Sequence, residues 1–240
     1  MKVDVVLSPP EIDLLPSRDL SQTTAVVFDV LRATSSMITA LEHGAQKIYP
    51  VRTIEEALAL KKAMPEAVLG GERHGDRIEG FALGNSPREY LSPPPRIVTT
   101  TTNGTFALKA CEAARETFVG ALLNMNALAL ALAKSAGRHP SARLSLLIVC
   151  AGTFRELALE DVFAAGMLCS KFPGVELTDS ARVALELYRQ HEKDTLRLLH
   201  MARNGRALKA AGREQDIQWC GRVSCFEAVG ILREGAVCRV

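Results

Sequence analysis

Thr24 to Ser36 reads "TAVVFDVLRATSS", and the junction inside it decides the fold. Thr24–Phe28 is a short, β-branched and apolar run of the length of a strand buried on both faces. It ends in Asp29 and Arg32, followed by three hydroxyl residues, Thr34, Ser35 and Ser36, where a helix is expected to begin. A buried strand that hands over to a helix is the repeating unit of a parallel sheet.

The same handover recurs along the chain. Strands are expected at Lys2–Leu7, Thr24–Phe28, Lys47–Val51, Ala67–Leu69, Arg96–Thr100, Thr117–Leu122 and Leu144–Cys150, with helices between them. Thr53 to Glu56 forms a capping box opening a helix through Ala63, and Ser86-Pro87-Arg88-Glu89 repeats it with proline at the first helical position. Asn103-Gly104 precedes a helix through Ala114, and Asn124 or Asn126 caps the alanine- and leucine-rich helix that follows. From Leu159 to about Gly212 the text is mostly helical, and it turns strand-like again in "IQWCGRVSC" and "AVGILREGAVCRV". No repeat, low-complexity segment or long linker interrupts this order. Residues 1–240 therefore read as a single α/β domain with a layered α/β/α arrangement and a largely parallel sheet. In such sheets ligands bind beyond the carboxyl ends of the strands.

Composition narrows the function classes. Hydrophobic residues make up 48% of the chain and charged ones 23%, with a formal net charge of +2, which is ordinary for a globular protein. The basic residues between Arg182 and Arg213 are interleaved with Glu186, Glu192 and Asp194, so a solvated helical face is expected there and no nucleic-acid partner. "MKVDVVLSPPEIDLLP" lacks the pattern of a secretion signal, and no apolar run approaches the ~20 residues of a membrane span. A soluble, cytoplasmic protein without a membrane partner is expected. Cys111 and Cys169 fall on apolar helix faces, and Cys220 and Cys225 have no matching Cys or His pair, so the cysteines read as core thiols and not as a zinc site. A homodimer is expected only as the commonest symmetric assembly.

Chemistry gathers just after the strands. Asp29, Arg32, Thr34 and Ser35 follow the first buried strand, and "GGERHGDRIEGFALGNSP" follows Leu69. "TTNGT" follows "RIVTT", and "AGTFRELALED" follows "SLLIVC". Asp29 and Thr34 also suit helix capping, and the glycines suit turns. A loop from Gly70 to Asn85 holding Glu72, Arg73, His74, Asp76, Arg77 and Glu79 is nevertheless long for a mere connection. Helix starts after Arg32 and after Asn103-Gly104 offer backbone N–H groups to an anion, and Arg32, Arg73 or Arg155 can bind phosphate or sulfonate oxygens bidentately. Asp29, Glu72, Glu160 and Asp161 suit a hard cation such as Mg2+.

Three covalent schemes fail on spacing. The second aspartate of aspartyl-phosphate phosphatases is replaced by Leu31, and in "CAGTFR" four residues separate Cys150 from Arg155 where the cysteine-phosphatase loop needs five. No Gly-x-Ser-x-Gly elbow or P-loop occurs. Metal-activated water attacking phosphorus remains, with the cation and arginines stabilising the developing charge.

"DVLRATSS", "GGERHGDRIEGFALGNSPRE", "TTTTNGTFAL", "CAGTFRELALEDVFAAG" and "ARNGRAL" followed by "DIQWC", in that order, resemble the 2-phosphosulfolactate phosphatase family from about Val3 to the carboxyl terminus. The resemblance implies a three-layer α/β/α fold with a mixed sheet. It also implies Mg2+-dependent hydrolysis of (R)-2-phospho-3-sulfolactate to 3-sulfolactate and phosphate, a step in coenzyme M biosynthesis. Asp29, Arg32, Glu72, Arg73, Asn85, Ser86, Asn103, Glu160 and Asp161 carry over as site positions; Gly104, Thr105 and Arg155 join them as expected substrate contacts. Asp29, Arg32, Glu72 and Asp161 are the expected catalytic residues, with Thr34 and Ser35 as donors at the helix start. The tail departs from the pattern. Relatives carry an aspartate shortly after the motif cysteine and then a valine-proline end, where this chain has Ser224 and Gly230, with Glu227 and Asp216 as the nearby acids. A phosphatase for another small phosphorylated hydroxy acid and a non-catalytic phospho-ligand sensor are the competing functions.

Overall fold

Apolar runs and amphipathic stretches alternate along the chain, and in the computed structural model, which describes residues 1–138 and 145–240, they resolve into strands and helices. The order is β1 (Lys2–Val6), α1 (Pro9–Ile12), β2 (Thr23–Phe28), α2 (Ala33–Glu42), β3 (Lys47–Pro50), α3 (Ile54–Ala63), β4 (Val68–Arg73), β5 (Asp76–Arg77), β6 (Arg96–Thr100), α4 (Gly104–Ala110) and β7 (Glu116–Gly120). There follow α5 (Met125–Gly137), β8 (Ser145–Cys150), α6 (Leu159–Ser170), β9 (Glu176–Leu177), α7 (Asp179–His191), α8 (Thr195–Met201), α9 (Arg203–Ala210), α10 (Glu214–Cys220), β10 (Gly230–Arg233) and β11 (Ala236–Arg239). All seven expected strands up to Cys150 form, although Leu144, the expected first residue of the last, lies outside the described residues.

The strands build one mixed sheet in the order β5-β4-β6-β3-β11-β10-β7-β2-β8-β1-β9. Two parallel blocks, β4-β6-β3 and β7-β2-β8-β1-β9, flank the carboxy-terminal hairpin β10–β11. Passing from β3 to β7 crosses three antiparallel pairings, so the two blocks run in opposite senses. A sheet this wide accumulates twist and curls, and the loops that follow β2 and β6 meet in spite of the reversal.

Side-chain alternation along β2 explains the three layers. Val26 and Phe28 join a core with Phe118, Ile148, Leu128, Phe163 and Leu198, so α5, α6 and α8 cover that face. Ala25 and Val27 point the other way, to Ile12, Ile38, Leu41 and Leu108, under α1, α2 and α4. A third cluster joins Ala57 of α3 to Leu69 and Val98. Each fully buried large apolar side chain contributes roughly 1.5–3 kcal/mol.

Three local expectations are corrected. "IQWCGRVSC" is the end of α10 and a loop, because Ile217 and Cys220, three apart, turn one helical face into the core. The Ser86 box does not cap: Pro87–Tyr90 is a single 3-10 turn, the Ser86 hydroxyl donates to Asp216 Oδ1 at 2.6 Å, and Glu89 accepts from the Gly84 N–H. The Thr53 box forms as expected, Thr53 Oγ1 accepting from the Glu56 N–H at 3.1 Å. The helix opened by Asn103-Gly104 stops at Ala110, short of Ala114.

Candidate active site

Loops after β2, β4, β6 and β8, together with α9 and Arg213 before α10, enclose a cleft of about 420 Å³. Asp29, Arg32, Glu72, Asn85 and Asn103 all line it. Four separate strand ends therefore converge, as the polar sequences after them implied.

Asp29 lies where the two helix starts meet. Its Oδ1 accepts from the Ala33 N–H at 3.1 Å, and a Cβ on Gly104 would fall 2.6 Å from its Oδ2 and from the Ala33 Cβ. Only glycine lets α4 approach so closely. The expected anion site at the helix starts is thus filled by the chain's own carboxylate, and Gly104 serves this close approach. The hydroxyls of "RATSS" also turn inward. Thr34 exchanges hydrogen bonds with the Asp29 backbone, Ser35 donates to the Val30 carbonyl, and Ser36 donates to the Asn85 carbonyl at 2.8 Å. Thr105 closes on Thr101 in the same way and is fully buried. These residues build the turns and offer no free donor to a substrate.

The acids form a desolvated nest. Burial, with the charges of Glu72 and Glu160 adding to it, pushes the Asp29 carboxyl up to about 7, against the hydrogen bonds from Ala33 and Gly104. Burial likewise raises Glu160, although Asn204 donates to its Oε1 at 2.6 Å. The other oxygen, Glu160 Oε2, is buried without a hydrogen-bond partner among the described residues. Asp161 is raised by burial and by the Glu160 and Asp29 charges. Its two oxygens accept from the Val30 and Gly152 N–H groups at 2.8 and 3.0 Å, so it stands behind the cleft and ties the ends of β2 and β8 together. Glu72 lines the cleft and accepts from Thr102 N–H and Gly75 N–H, both at 2.7 Å. Among the described residues, no three His, Cys, Asp or Glu side chains gather tightly enough to hold a metal unaided.

The arginines divide sharply. Arg32 is buried, with one guanidinium nitrogen 2.5 Å from Asp216 Oδ2 and another donating to the Gly75 carbonyl at 3.1 Å. Ser86 completes this network and faces a smaller adjoining pocket. Arg73 is spent on the Glu72 and Arg52 carbonyls and on Thr100 Oγ1. Arg155 points away altogether, exposed and paired with Asp13 at 2.6 Å. Neither Arg73 nor Arg155 lines the cleft, which corrects their expected place beside the substrate. Arg203 and Arg213 line it instead.

Sequence reasoning missed Arg203, Asn204 and Arg213 as site residues. "ARNGRAL" carried the first two, but nothing local marks a helix start in a helical tract as a cleft wall. Of the acids near the divergent tail, Asp216 reaches the site through Arg32. Ser224 instead accepts from the Asn126 N–H, and Glu227 lines a separate groove with Val229 and Val240.

A three-layer α/β chain whose strand ends present buried acids and guanidinium groups to one small cleft has the build of an enzyme for a small anion. The family profile for 2-phosphosulpholactate phosphatase matches residues 11–235. The chain is 36% identical to a protein of Carboxydothermus hydrogenoformans, over 98% of this chain and 95% of that protein. It is 35% identical to one of Clostridium acetobutylicum, over 99% and 100%, and 37% identical to one of Deinococcus radiodurans, over 93% of each. All three are named "probable 2-phosphosulfolactate phosphatase". The chain belongs to the 2-phosphosulfolactate phosphatase family of phosphoric monoester hydrolases.

Proposed function

We propose that this enzyme hydrolyses (R)-2-phospho-3-sulfolactate to 3-sulfolactate and phosphate with the help of Mg2+, by direct attack of water. The observation that carries the reading is the buried acid nest of Asp29, Glu72 and Glu160 beside the Arg32 guanidinium. Mutually repelling, desolvated carboxylates and the orphaned Glu160 Oε2 suit a hard cation, and magnesium commonly takes only one or two carboxylates, filling its shell with water and substrate oxygens. Asp29 and Glu160 would hold it, with Glu72 alongside; bound there, it would lower the pKa of water and neutralise charge on the phosphoryl oxygens.

The chain's own groups do the rest. Arg32, its fork set by the Gly75 carbonyl and by Asp216, which Ser86 holds in turn, presents a preorganised positive charge to the phosphoryl group without reorganising during reaction. Arg203 and Arg213 line the cleft paired with Glu156 and Asp76, and turning from these exposed acids they suit the second and third anionic groups of such a substrate. Water oxygen bonds to phosphorus as the P–O bond to C2 breaks; one water proton passes to the carboxylate nest, and the departing C2 oxygen takes a proton back from it to leave as the hydroxyl of 3-sulfolactate. Purified protein is assayed for phosphate release from phosphosulfolactate, phospholactate and other phosphorylated hydroxy acids, with and without Mg2+. Release that survives exhaustive chelation overturns the metal requirement, and a clear preference for another acid overturns the substrate.

A further inference from the structure

Two hairpin tips face each other across the mouth of the cleft, and each carries an aromatic ring where the turn itself asks for none. Arg73 pairs with Asp76, leaving His74 and Gly75 as a two-residue turn with φ of 56° and 87°. Thr153 and Glu156 exchange backbone hydrogen bonds at 2.8 and 3.0 Å around Phe154, whose φ is 57°. Glycine or asparagine is the usual residue at such first turn positions, and a bulky side chain there is strained. The rings stack with centroids 6.2 Å apart and an interplanar angle of 30°. The Arg203 guanidinium lies over Phe154 at 5.5 Å.

All three side chains line the cleft, and Phe154 is 47% exposed, so its ring is within reach of whatever the cleft holds. The first tip is also bolted to the site. The Gly75 N–H donates to Glu72, and the Gly75 carbonyl accepts from Arg32 and Arg213. A ring displaced at one tip is thereby felt at the acid and at the arginine.

We propose that His74 and Phe154 form a substrate-contacting clamp that closes over the carbon skeleton of the bound anion and keeps bulk water from it. The proposal rests on the reading of this cleft as the phosphatase site. Phe154→Gly relaxes the strained backbone while removing the ring, and His74→Asn keeps a residue suited to its turn. Phosphate release from phosphosulfolactate is measured together with thermal melting. In both variants kcat/KM is expected to fall about tenfold, the scale of one lost aromatic contact, mainly through a higher KM. The melting temperature of Phe154→Gly should be equal to or above that of the wild type. A KM within about twofold of wild type in both variants overturns the clamp, as does a loss of activity that merely tracks a lower melting temperature. If the wild type releases no phosphate, the phosphatase reading falls separately, and calorimetric binding of 3-sulfolactate decides the clamp. Weaker binding by Phe154→Gly supports it; equal binding, or none by the wild type, overturns it.

Discussion

Asp29 has given up solvent to accept hydrogen bonds from Ala33 and Gly104 among like charges, and its substitution should separate stability from activity. In Asp29→Asn the amide oxygen keeps a bond to Ala33 while the charge disappears. Turnover should vanish, yet the metal-free variant should melt no lower than the wild type near neutral pH. The sign with pH follows from the raised carboxyl: the folded state binds more protons than the unfolded one between the ordinary value and about 7, so the group's contribution falls as pH rises through that window. Wild-type melting should therefore drop more than that of Asp29→Asn between about pH 5 and about pH 8. Parallel curves would remove Asp29 from the nest. Arg32 calls for a double substitution. Arg32→Ala leaves buried Asp216 unpaired and should cost about 3–5 kcal/mol in chemical denaturation, and adding Asp216→Asn should recover much of that stability without recovering turnover. Cys150→Ser should keep substantial activity, because burial holds the thiol well above its ordinary pKa and unreactive; a phosphorylated Cys150 in a mass spectrum would contradict this. Asp29 and Arg32 were legible in the sequence because they follow a strand end, and Glu72 because it follows the apolar run ending at Leu69, although the strand itself continues through Arg73. Asp216 reached the network across 184 residues of chain, a separation no local pattern encodes, and the same long-range pull took Ser86 from its cap.

Among elements, α9 has the tightest constraint. A Cβ on Gly205 would lie 1.7 Å from the Leu199 carbonyl oxygen, so α9 is pressed onto α8, and that closeness puts Asn204 within reach of Thr153 Oγ1 and Glu160 Oε1, both at 2.6 Å. Gly205→Ala should push α9 outward, costing about 1–3 kcal/mol as overpacking does, and should raise the Mg2+ concentration needed for half-maximal activity by loosening Glu160. A melting curve and a Mg2+ titration check both effects; an unchanged Mg2+ requirement in a destabilised protein would deny Asn204 its part. Strands were readable because a run such as "SLLIVC" has one interpretation once helices flank it. The α10 segment was not, since Ile217 and Trp219 also fit a period of two, and only packing of Ile217 with Cys220 chooses the helix.

At the scale of the molecule, the three layers followed from the alternation of elements, but the reversal between the two parallel blocks did not. It depends on where "AVGILREGAVCRV" inserts, and pairing partners are not written in a strand's own residues. Because β10 and β11 are the strands that join the blocks within the sheet, deleting residues 230–240 should abolish cooperative unfolding and not merely lower the melting temperature. Circular dichroism during heating tests this, and a sharp transition in the shortened chain would show that each block holds together alone.

That central hairpin also sets the order in which the protein can come into being. Translation proceeds from the amino terminus, and segments usually fold in the order they emerge, yet here the keystone of the sheet is made after both of the blocks it joins. Until Ala236–Arg239 leaves the ribosome, β3 and β7 each present an uncovered strand edge, the kind of surface that invites pairing with another chain. A nascent chain of this protein is therefore a natural client for chaperones until that hairpin emerges.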